Sequence, residues 1–334
     1  MKKVVVTGGS GFVASWVIKD FLDHGYQVAT SVRSLAKADS IRHELKQQVA
    51  PDAIARLSFF EADLTQAAGW REGIKGSAGV IHVASPLGHG TETAAELVNV
   101  AKNGALNVLR AAKDVGVNRI VMTSSEAAST PATGSAALLD ESFWTDINNP
   151  DLDPYRISKV ASEQAAWTFA QENNLALTTI LPGAIFGPAM SEKAMSSNEI
   201  LLRLLQGQLA LPRVPMEISD VRDLATLHRL AFEHDNARGK RYLAASQELT
   251  MADIATLYQT NFPELKIKVR VLPNWVTKTA AKFVPSLRTL VPMLDRRARH
   301  STQAAESELG WTQHSPEQTV LDAAKALLAL GLVQ

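Results

Sequence analysis

Short apolar runs alternate along the first half of the chain with longer segments whose apolar positions recur every three or four residues. The runs fall at residues 3–7, 27–32, 57–60, 79–83, 119–122 and 176–181, and each is apolar enough to be buried on both faces. Helical patterns lie between them, at about 15–24, 35–48, 66–75, 92–115 and 154–173. Strand and helix in this alternation predict an α/β fold, a doubly wound parallel sheet of Rossmann type with helices on both faces. Past Pro182 the rhythm changes. Helices near 198–206 and 220–234, short strands near 240–244 and 267–271 and a closing helix near 316–331 predict a smaller α/β lobe over one sheet edge. The expected division is 1–182 for the sheet and 183–334 for the lobe, with some segments of the second free to return to the first.

Ligands of such sheets bind beyond the carboxyl ends of the strands, so the residues that follow each run carry the chemistry. After the first come Thr7-Gly8-Gly9-Ser10-Gly11-Phe12-Val13-Ala14 and then a helix. Glycines in a strand-to-helix turn let the backbone bend sharply and approach a pyrophosphate, whose charge rests on the free N–H groups and positive dipole end of the helix. Two registers fit, Gly9-x-Gly11-x-x-Ala14 and Gly8-x-x-Gly11-x-x-Ala14, and Ala14 is small enough to stand for a third glycine. The expected cradle is Gly8, Ser10, Gly11, Phe12 and Val13, which makes 1–182 a dinucleotide-binding domain and 183–334 mainly a substrate-binding one. The second run ends Thr30-Ser31-Val32-Arg33-Ser34, with Lys37 one turn on. A site selective for NADH usually offers a carboxylate there to the ribose 2′-hydroxyl. Here Arg33 can grip a 2′-phosphate instead, and NADPH is the expected cofactor. Asp63 and Leu64 follow the third run, Ala84-Ser85-Pro86 the fourth, Ser124-Ser125 the fifth and Pro182-Gly183 the sixth, so all converge on one edge.

Tyr155-Arg156-Ile157-Ser158-Lys159 opens the last of these helices. Asp153 suits its N-cap and Pro154 its first position, so Tyr155 falls in the first turn and faces whatever lies beyond the helix end. A tyrosine and a lysine four residues apart share one helix face. An ordinary tyrosine holds its proton too tightly for acid catalysis near neutrality, and an adjacent ammonium eases its release. Such pairs also occur on helices by chance. The glycine turn at the other end of the chain is what gives this one chemical meaning.

Among the 334 residues, Lys+Arg and Asp+Glu number 34 each, which argues against a nucleic-acid or anionic-membrane partner. The one dense basic cluster, Arg296-Arg297-Ala298-Arg299-His300, reads as a solvated helix end. The absence of cysteine excludes disulfides and thiolate metal sites and fits a cytoplasmic protein. No stretch approaches the roughly 18 apolar residues of a membrane span, and the N-terminal lysines lead into a strand rather than a signal-peptide core. The eight histidines show no His-x-x-x-His spacing, so no metal site is expected.

Six stretches taken together are highly specific: Val6-Thr7-Gly8-Gly9-Ser10-Gly11-Phe12-Val13-Ala14-Ser15-Trp16, Ser31-Val32-Arg33, His82-Val83-Ala84-Ser85-Pro86, Thr123-Ser124-Ser125, Tyr155 to Lys159 followed by Glu163-Gln164-Ala165-Ala166-Trp167, and Leu181-Pro182-Gly183-Ala184-Ile185-Phe186-Gly187-Pro188. On them the chain resembles the extended short-chain dehydrogenases/reductases over nearly its whole length. Within these it is similar to the dihydroflavonol-reductase-like group, which includes cinnamoyl-CoA reductases and microbial aldehyde and ketone reductases. The resemblance implies that Ser125 donates a hydrogen bond to the substrate carbonyl and that Tyr155 donates the proton. Lys159 then eases that transfer and holds the nicotinamide ribose. It further implies that Asp63 and Leu64 flank the adenine, that Ala84 lies at the cofactor, and that backbone groups from Pro182 to Ile185 meet the carboxamide. Asn99 matches an asparagine that orders a relay water in related enzymes, with a surface or structural role as the competing reading.

The implied reaction is NADPH-dependent reduction of an aldehyde or ketone to an alcohol. Sugar-nucleotide epimerases and steroid-type dehydrogenases or isomerases of the same family stay open, with a non-catalytic NADPH sensor further off. Ser125-Glu126 argues against a dehydratase, whose acid-base pair is Asp-Glu directly after a threonine, and Arg33 argues for a cofactor exchanged at each turnover. The residues expected around the substrate, Pro86, Leu87, Ala127, Phe186, Met190, Met195 and Leu211, are small or apolar. Arg203 and Arg213 stand singly, so an apolar carbonyl compound is the expected partner.

Overall fold

The computed structural model describes residues 1–85, 93–207, 211–284, 287, 290–294 and 296–333. In chain order its strands are β1 (Lys3–Val6), β2 (Gln27–Val32), β3 (Leu57–Glu61), β4 (Gly79–His82), β5 (Arg119–Thr123), β6 (Leu138–Leu139), β7 (Ala176–Leu181), β8 (Ala184–Phe186), β9 (Leu211–Pro212), β10 (Pro215–Asp220), β11 (Arg241–Leu243), β12 (Glu248–Thr250), β13 (Val271–Leu272) and β14 (Arg299–His300). Seven of these form one parallel sheet in the order β11-β7-β5-β4-β1-β2-β3. The chain winds outward from β1 in one direction, then returns to its other side at β4. That reversal opens the crevice in which doubly wound sheets hold ligands.

Strand periodicity explains the two layers of helices. Val4 and Val6 of β1 point into one apolar cluster and Val5 into another, and Ile81 and Val80 of β4 divide the same way. On the first face lie α1 (Phe12–Asp23) and, past α2 (Ala38–Lys46), α3 (Pro51–Ile54), α4 (Trp70–Ile74), α5 (Ala94–Asp114), α6 (Pro154–Glu172) and α7 (Asn198–Leu205), the helix α8 (Val221–Glu233). The opposite face is covered by α5 and α6, through Val108, Leu109, Ala166 and Ala170. Each fully buried valine or leucine in these layers contributes about 1.5–3 kcal/mol of transfer free energy.

The expected strand near 240–244 is β11, and it completes the large sheet beside β7. With α8 packed against α1, the chain beyond 182 thus returns repeatedly to the nucleotide side. The rest of that half builds its own core around Phe186, Leu201, Ile218, Ile254, Tyr258 and Val320. Its sheet is β12-β10-β8, flanked by the pairs β13-β9 and β14-β6. α9 (Met251–Asn261) and α10 (Asn274–Ala280) complete this region with the helix Pro316–Ala329, while the helix Gln303–Leu309 packs on α8 and β11 with Ala305 and Leu309 in the core of the sheet.

Several boundaries differ from expectation for local reasons. The segment expected as one helix at 35–48 starts as a 3-10 turn, Leu35–Lys37, because the Ser34 hydroxyl accepts from the Ala36 amide. The helix expected from 66 begins only at Trp70, since Gly69 sits at φ 84°. The strand expected at 267–271 forms at Val271–Leu272, where Leu211 and Pro212 pair with it.

Candidate active site

Beyond β1 the chain turns through Gly8 at φ 78°, a left-handed conformation suited to glycine. A Cβ there would lie 2.9 Å from that of Ala84, so the turn beds directly on the end of β4. The Gly8 amide donates to Ser31 Oγ (2.9 Å), the Gly9 amide to Ser31 O (2.9 Å) and the Gly11 amide to Gly8 O (2.9 Å). Thr7 locks the floor: its hydroxyl oxygen accepts from the Val83 and Ala84 amides at 3.0 and 2.9 Å and gives its proton to His82 Nδ1 at 2.9 Å. Burial, with the Lys159 charge adding, lowers the His82 pKa to about 4, so this ring is a neutral acceptor. Gly11 is the N-cap of α1 and no side chain caps the helix, which leaves its first amides open. A tight glycine turn, an uncapped helix end and a floor held by Thr7 fit a dinucleotide pyrophosphate.

The other expected cofactor residues differ in exposure. Ser10, Arg33 and Lys37 are exposed, and Phe12 is buried with Val13 half-buried behind it, which leaves those two their backbone amides to offer. Asp63 accepts from the Thr65 amide and hydroxyl at 2.8 and 2.7 Å, which hold its pKa below the ordinary value, with the Arg33 charge adding. It therefore caps a turn rather than a helix. Leu64 beside it packs on Gly104, and its carbonyl accepts from Asn107 Nδ2 at 2.9 Å. Pro182 is buried with its carbonyl taken by the Glu126 amide at 2.9 Å, and Ile185 is half-buried on β8. Asn99 lies exposed on α5.

Asp153 caps α6 by accepting from the Arg156 amide at 2.8 Å, and Pro154 opens it. Tyr155 is left exposed at the helix start, and the Lys159 ammonium lies 5.4 Å from its ring centroid. Lys159 is itself buried and donates to Ser85 Oγ at 2.8 Å, a partner that the glycine and tyrosine motifs did not reveal. Both groups line a cavity of about 300 Å³ with His82, Ala84 and Ser124. At the end of β5, Ser125 is extended and accepts from the Ala127 amide at 3.2 Å, which leaves its own proton to donate. α6 packs against the 3-10 turn Glu126–Ser129 that follows Ser125.

Two buried ionic networks grip that turn. Behind it, Glu163 accepts from Ser124 Oγ (2.6 Å), Thr179 Oγ1 (2.7 Å) and Arg241 Nε (3.0 Å). The Arg241 guanidinium also reaches the Ala128, Glu141 and Phe143 carbonyls and stacks 3.7 Å from the Trp144 ring centroid. In front, Arg296 donates to Glu126 and Glu217, both at 3.0 Å. His300 joins Glu217 Oε2 (2.6 Å) to the Ser129 carbonyl (2.8 Å). Glu126, Glu217 and His300 converge closely enough to ligate an ion, but the Arg296 guanidinium already bridges the carboxylates. The basic cluster at 296–300 is thus no solvated helix end: Arg299 and His300 form β14 beside β6, His300 is buried, and Arg296 is spent on the two carboxylates.

The expected substrate wall is only partly where the sequence put it. Phe186, Met195 and Leu211 are buried in the apolar core of the lobe and Met190 in that of the sheet; Arg203 and Arg213 are exposed, and Pro86 and Leu87 lie outside the described residues. Open space lies instead past the Ser125 turn, in a cleft of about 490 Å³ lined by Thr130–Ser135, Leu152, Arg156, Met293 and Arg296. The signal for it was indirect, since its walls come from three distant stretches of chain.

The profile of the NAD dependent epimerase/dehydratase family matches residues 4–245. Tetraketide alpha-pyrone reductase 1 of Arabidopsis thaliana is 34% identical over 276 residues, covering 80% of this chain and 83% of that protein. Cinnamoyl-CoA reductase 1 of Oryza sativa is 36% identical over 265 residues, covering 78% and 76%. Among solved structures, Gre2 of Candida albicans in complex with NADPH superposes with a TM-score of 0.81 at 28% identity, covering 99% of each chain.

Proposed function

Because the chain belongs to the NAD-dependent epimerase/dehydratase family, we propose that it is an NADPH-dependent reductase that converts the carbonyl of an apolar aldehyde or ketone to an alcohol. The observation that carries this reading is the shared face of α6, on which Tyr155 stands exposed at the helix start with the Lys159 ammonium 5.4 Å from its ring. Reductases among the relatives and the NADPH bound to Gre2 support it. Arg33 and Lys37, exposed beside the glycine turn, are the cations that would meet a 2′-phosphate.

Bound NADPH supplies the hydride. The Ser125 hydroxyl, its oxygen anchored by the Ala127 amide, donates to the carbonyl oxygen and stabilises the charge that develops there. Tyr155 gives its phenolic proton to the same oxygen as the alkoxide forms, and the Lys159 ammonium offsets the phenolate left behind. The substrate enters from the cleft beyond Thr130.

Incubation with NADPH and a panel of aryl ketones, 2-oxoaldehydes and short aldehydes tests the reading. A reductase consumes NADPH in step with alcohol formed, whereas an epimerase returns the hydride and a sensor only binds. Tyr155→Phe should lower kcat by ~10²–10⁴-fold while leaving the Kd for NADPH nearly unchanged. A variant with wild-type kcat refutes the assignment. Arg33→Ala should weaken NADPH by about tenfold or more relative to NADH, the scale of a lost hydrogen bond to a charged group; an unaltered ratio of the two KM values would remove Arg33 from the site.

A further inference from the structure

We infer that His300 is held as an imidazolium and, through the turn Glu126–Ser129, positions the hydroxyl of Ser125. The inference rests on the reading of Ser125 as the donor to the substrate carbonyl. Its first support is the pair of partners on the ring. Nε2 lies 2.8 Å from the Ser129 carbonyl, which can only accept, so Nε2 carries a proton. Nδ1 lies 2.6 Å from Glu217 Oε2, a carboxylate that also takes a hydrogen bond from Arg296 and, on its other oxygen, one from the His300 amide at 2.8 Å. Two donors besides the ring, one of them a guanidinium, favour the ionised carboxylate, so Nδ1 is a donor too. A ring with both nitrogens donating is charged.

The surrounding charges balance that state. Glu126 follows Ser125 directly, Glu217 comes from β10, Arg296 lies between them, and Arg299 turns outward to Glu248 on β12. Two carboxylates thus face two cations in a site where Glu217 and His300 are almost wholly buried. Burial by itself lowers the His300 pKa, but the Glu217 hydrogen bond, the charges of Glu126 and Glu217 and the Ser129 carbonyl outweigh it and raise it above its ordinary 6.5.

The turn is held at every carbonyl. Glu126 O accepts from Thr130 Oγ1 (3.1 Å), Ala127 O from Thr145 Oγ1 (2.8 Å), Ala128 O from the Thr145 amide (3.0 Å) and Arg241 (3.2 Å), and Ser129 O from His300. Of these contacts only the last depends on the proton of a histidine. Loss of that proton leaves one of two buried acceptors, Ser129 O or Glu217, without its donor. The Ala127 amide that fixes Ser125 Oγ sits two residues from the released end. Above its pKa, His300 therefore loosens the serine. NADPH, held by the glycine turn on β1, is untouched.

Two measurements test this. In the wild-type protein, ¹⁵N NMR of the histidine rings and of the amides from Ser125 to Thr130 is followed from about pH 6 to 9. Both His300 nitrogens should be protonated at the acidic end, and the Ala127 and Thr130 amides should shift as His300 titrates. A ring with one bare nitrogen at about pH 6, or amides that ignore the titration, overturns the inference without recourse to substrate. In parallel, kcat and the KM for NADPH are measured across the same range for wild type and His300→Gln, whose single amide can replace at most one donor. Wild-type kcat should fall as His300 loses its proton, by up to about a hundredfold for a displaced catalytic group, with the KM for NADPH constant. In His300→Gln that fall should vanish, with kcat near the wild-type alkaline level throughout. A variant that keeps the wild-type profile also overturns the inference. If the wild type reduces no carbonyl compound, the reductase reading fails by itself, and the NMR titration still decides the role of His300. It likewise decides if His300→Gln does not fold.

Discussion

The two buried ionic networks that flank Ser125 are built from similar groups and differ in how completely those groups are satisfied. Behind the serine, one carboxylate and one guanidinium meet seven further partners: Ser124, Thr179 and Trp167 around Glu163, and the Ala128, Glu141 and Phe143 carbonyls and the Trp144 face around Arg241. No histidine takes part. In front, two carboxylates, an arginine and a histidine balance in charge, yet Glu126 Oε2, Ser129 Oγ and Arg296 Nε are buried without a hydrogen-bond partner among the described residues. Buried polar groups are paired in the great majority of cases, so orphans gathered in one network mark the place where the structure can yield. The rear network is an anchor built without a histidine. The front one is held together by a proton.

The strongest way to break that contrast is to remove the anchor. Arg241→Ala leaves Glu163 buried and without its cation, a change that costs about 3–5 kcal/mol. The urea midpoint should drop accordingly. A loss below about 1 kcal/mol would mean that Ser124 and Thr179 alone satisfy Glu163, and that the two networks are not different in kind.

Neither network was legible in the sequence, although most of the large sheet was. The runs that became β1 to β5 and β7 announced themselves because a parallel strand covered on both faces must be apolar throughout. Tyr155 to Lys159 was readable because its four-residue spacing and the Asp153-Pro154 cap are local. Glu217 and His300 are 83 residues apart and lie on β10, where polar and apolar residues alternate, and on β14, which is only two polar residues long. Arg296 sits in a run of basic residues that looks solvated until β14 pairs with β6 and turns it inward. The helix Met251–Asn261 went unread for a subtler reason. Its capping box, Thr250 with Asp253, was present in the sequence, but its apolar positions form no strong stripe because Ala252 and Leu257 spread apolar character away from the face of Ile254, Ala255 and Tyr258. Local chemistry was visible, and convergence of distant segments was not.

A smaller and sharper probe of the contrast is Glu126→Gln. Its Oε1 accepts from Arg296 at 3.0 Å, and its Oε2 stands 3.9 Å from His300 Nδ1. Glutamine keeps the shape and removes the charge, which is one of the causes that raise the His300 pKa. A group whose folded pKa is raised contributes stability that is fully present below its unfolded pKa, near 6.5, and lost as pH rises through the folded value. Wild type should therefore be more stable to urea at about pH 6 than at about pH 9 as far as this group decides, by about 1.4 kcal/mol for each unit of elevation. In Glu126→Gln the elevation shrinks, so the difference between the two pH values should shrink with it, even if the lost Arg296 contact lowers both. The subtraction matters because it cancels everything in the variant that does not titrate. If Glu126→Gln leaves the difference unchanged instead, the charge beside Ser125 does not reach His300, and the contrast between the two networks narrows.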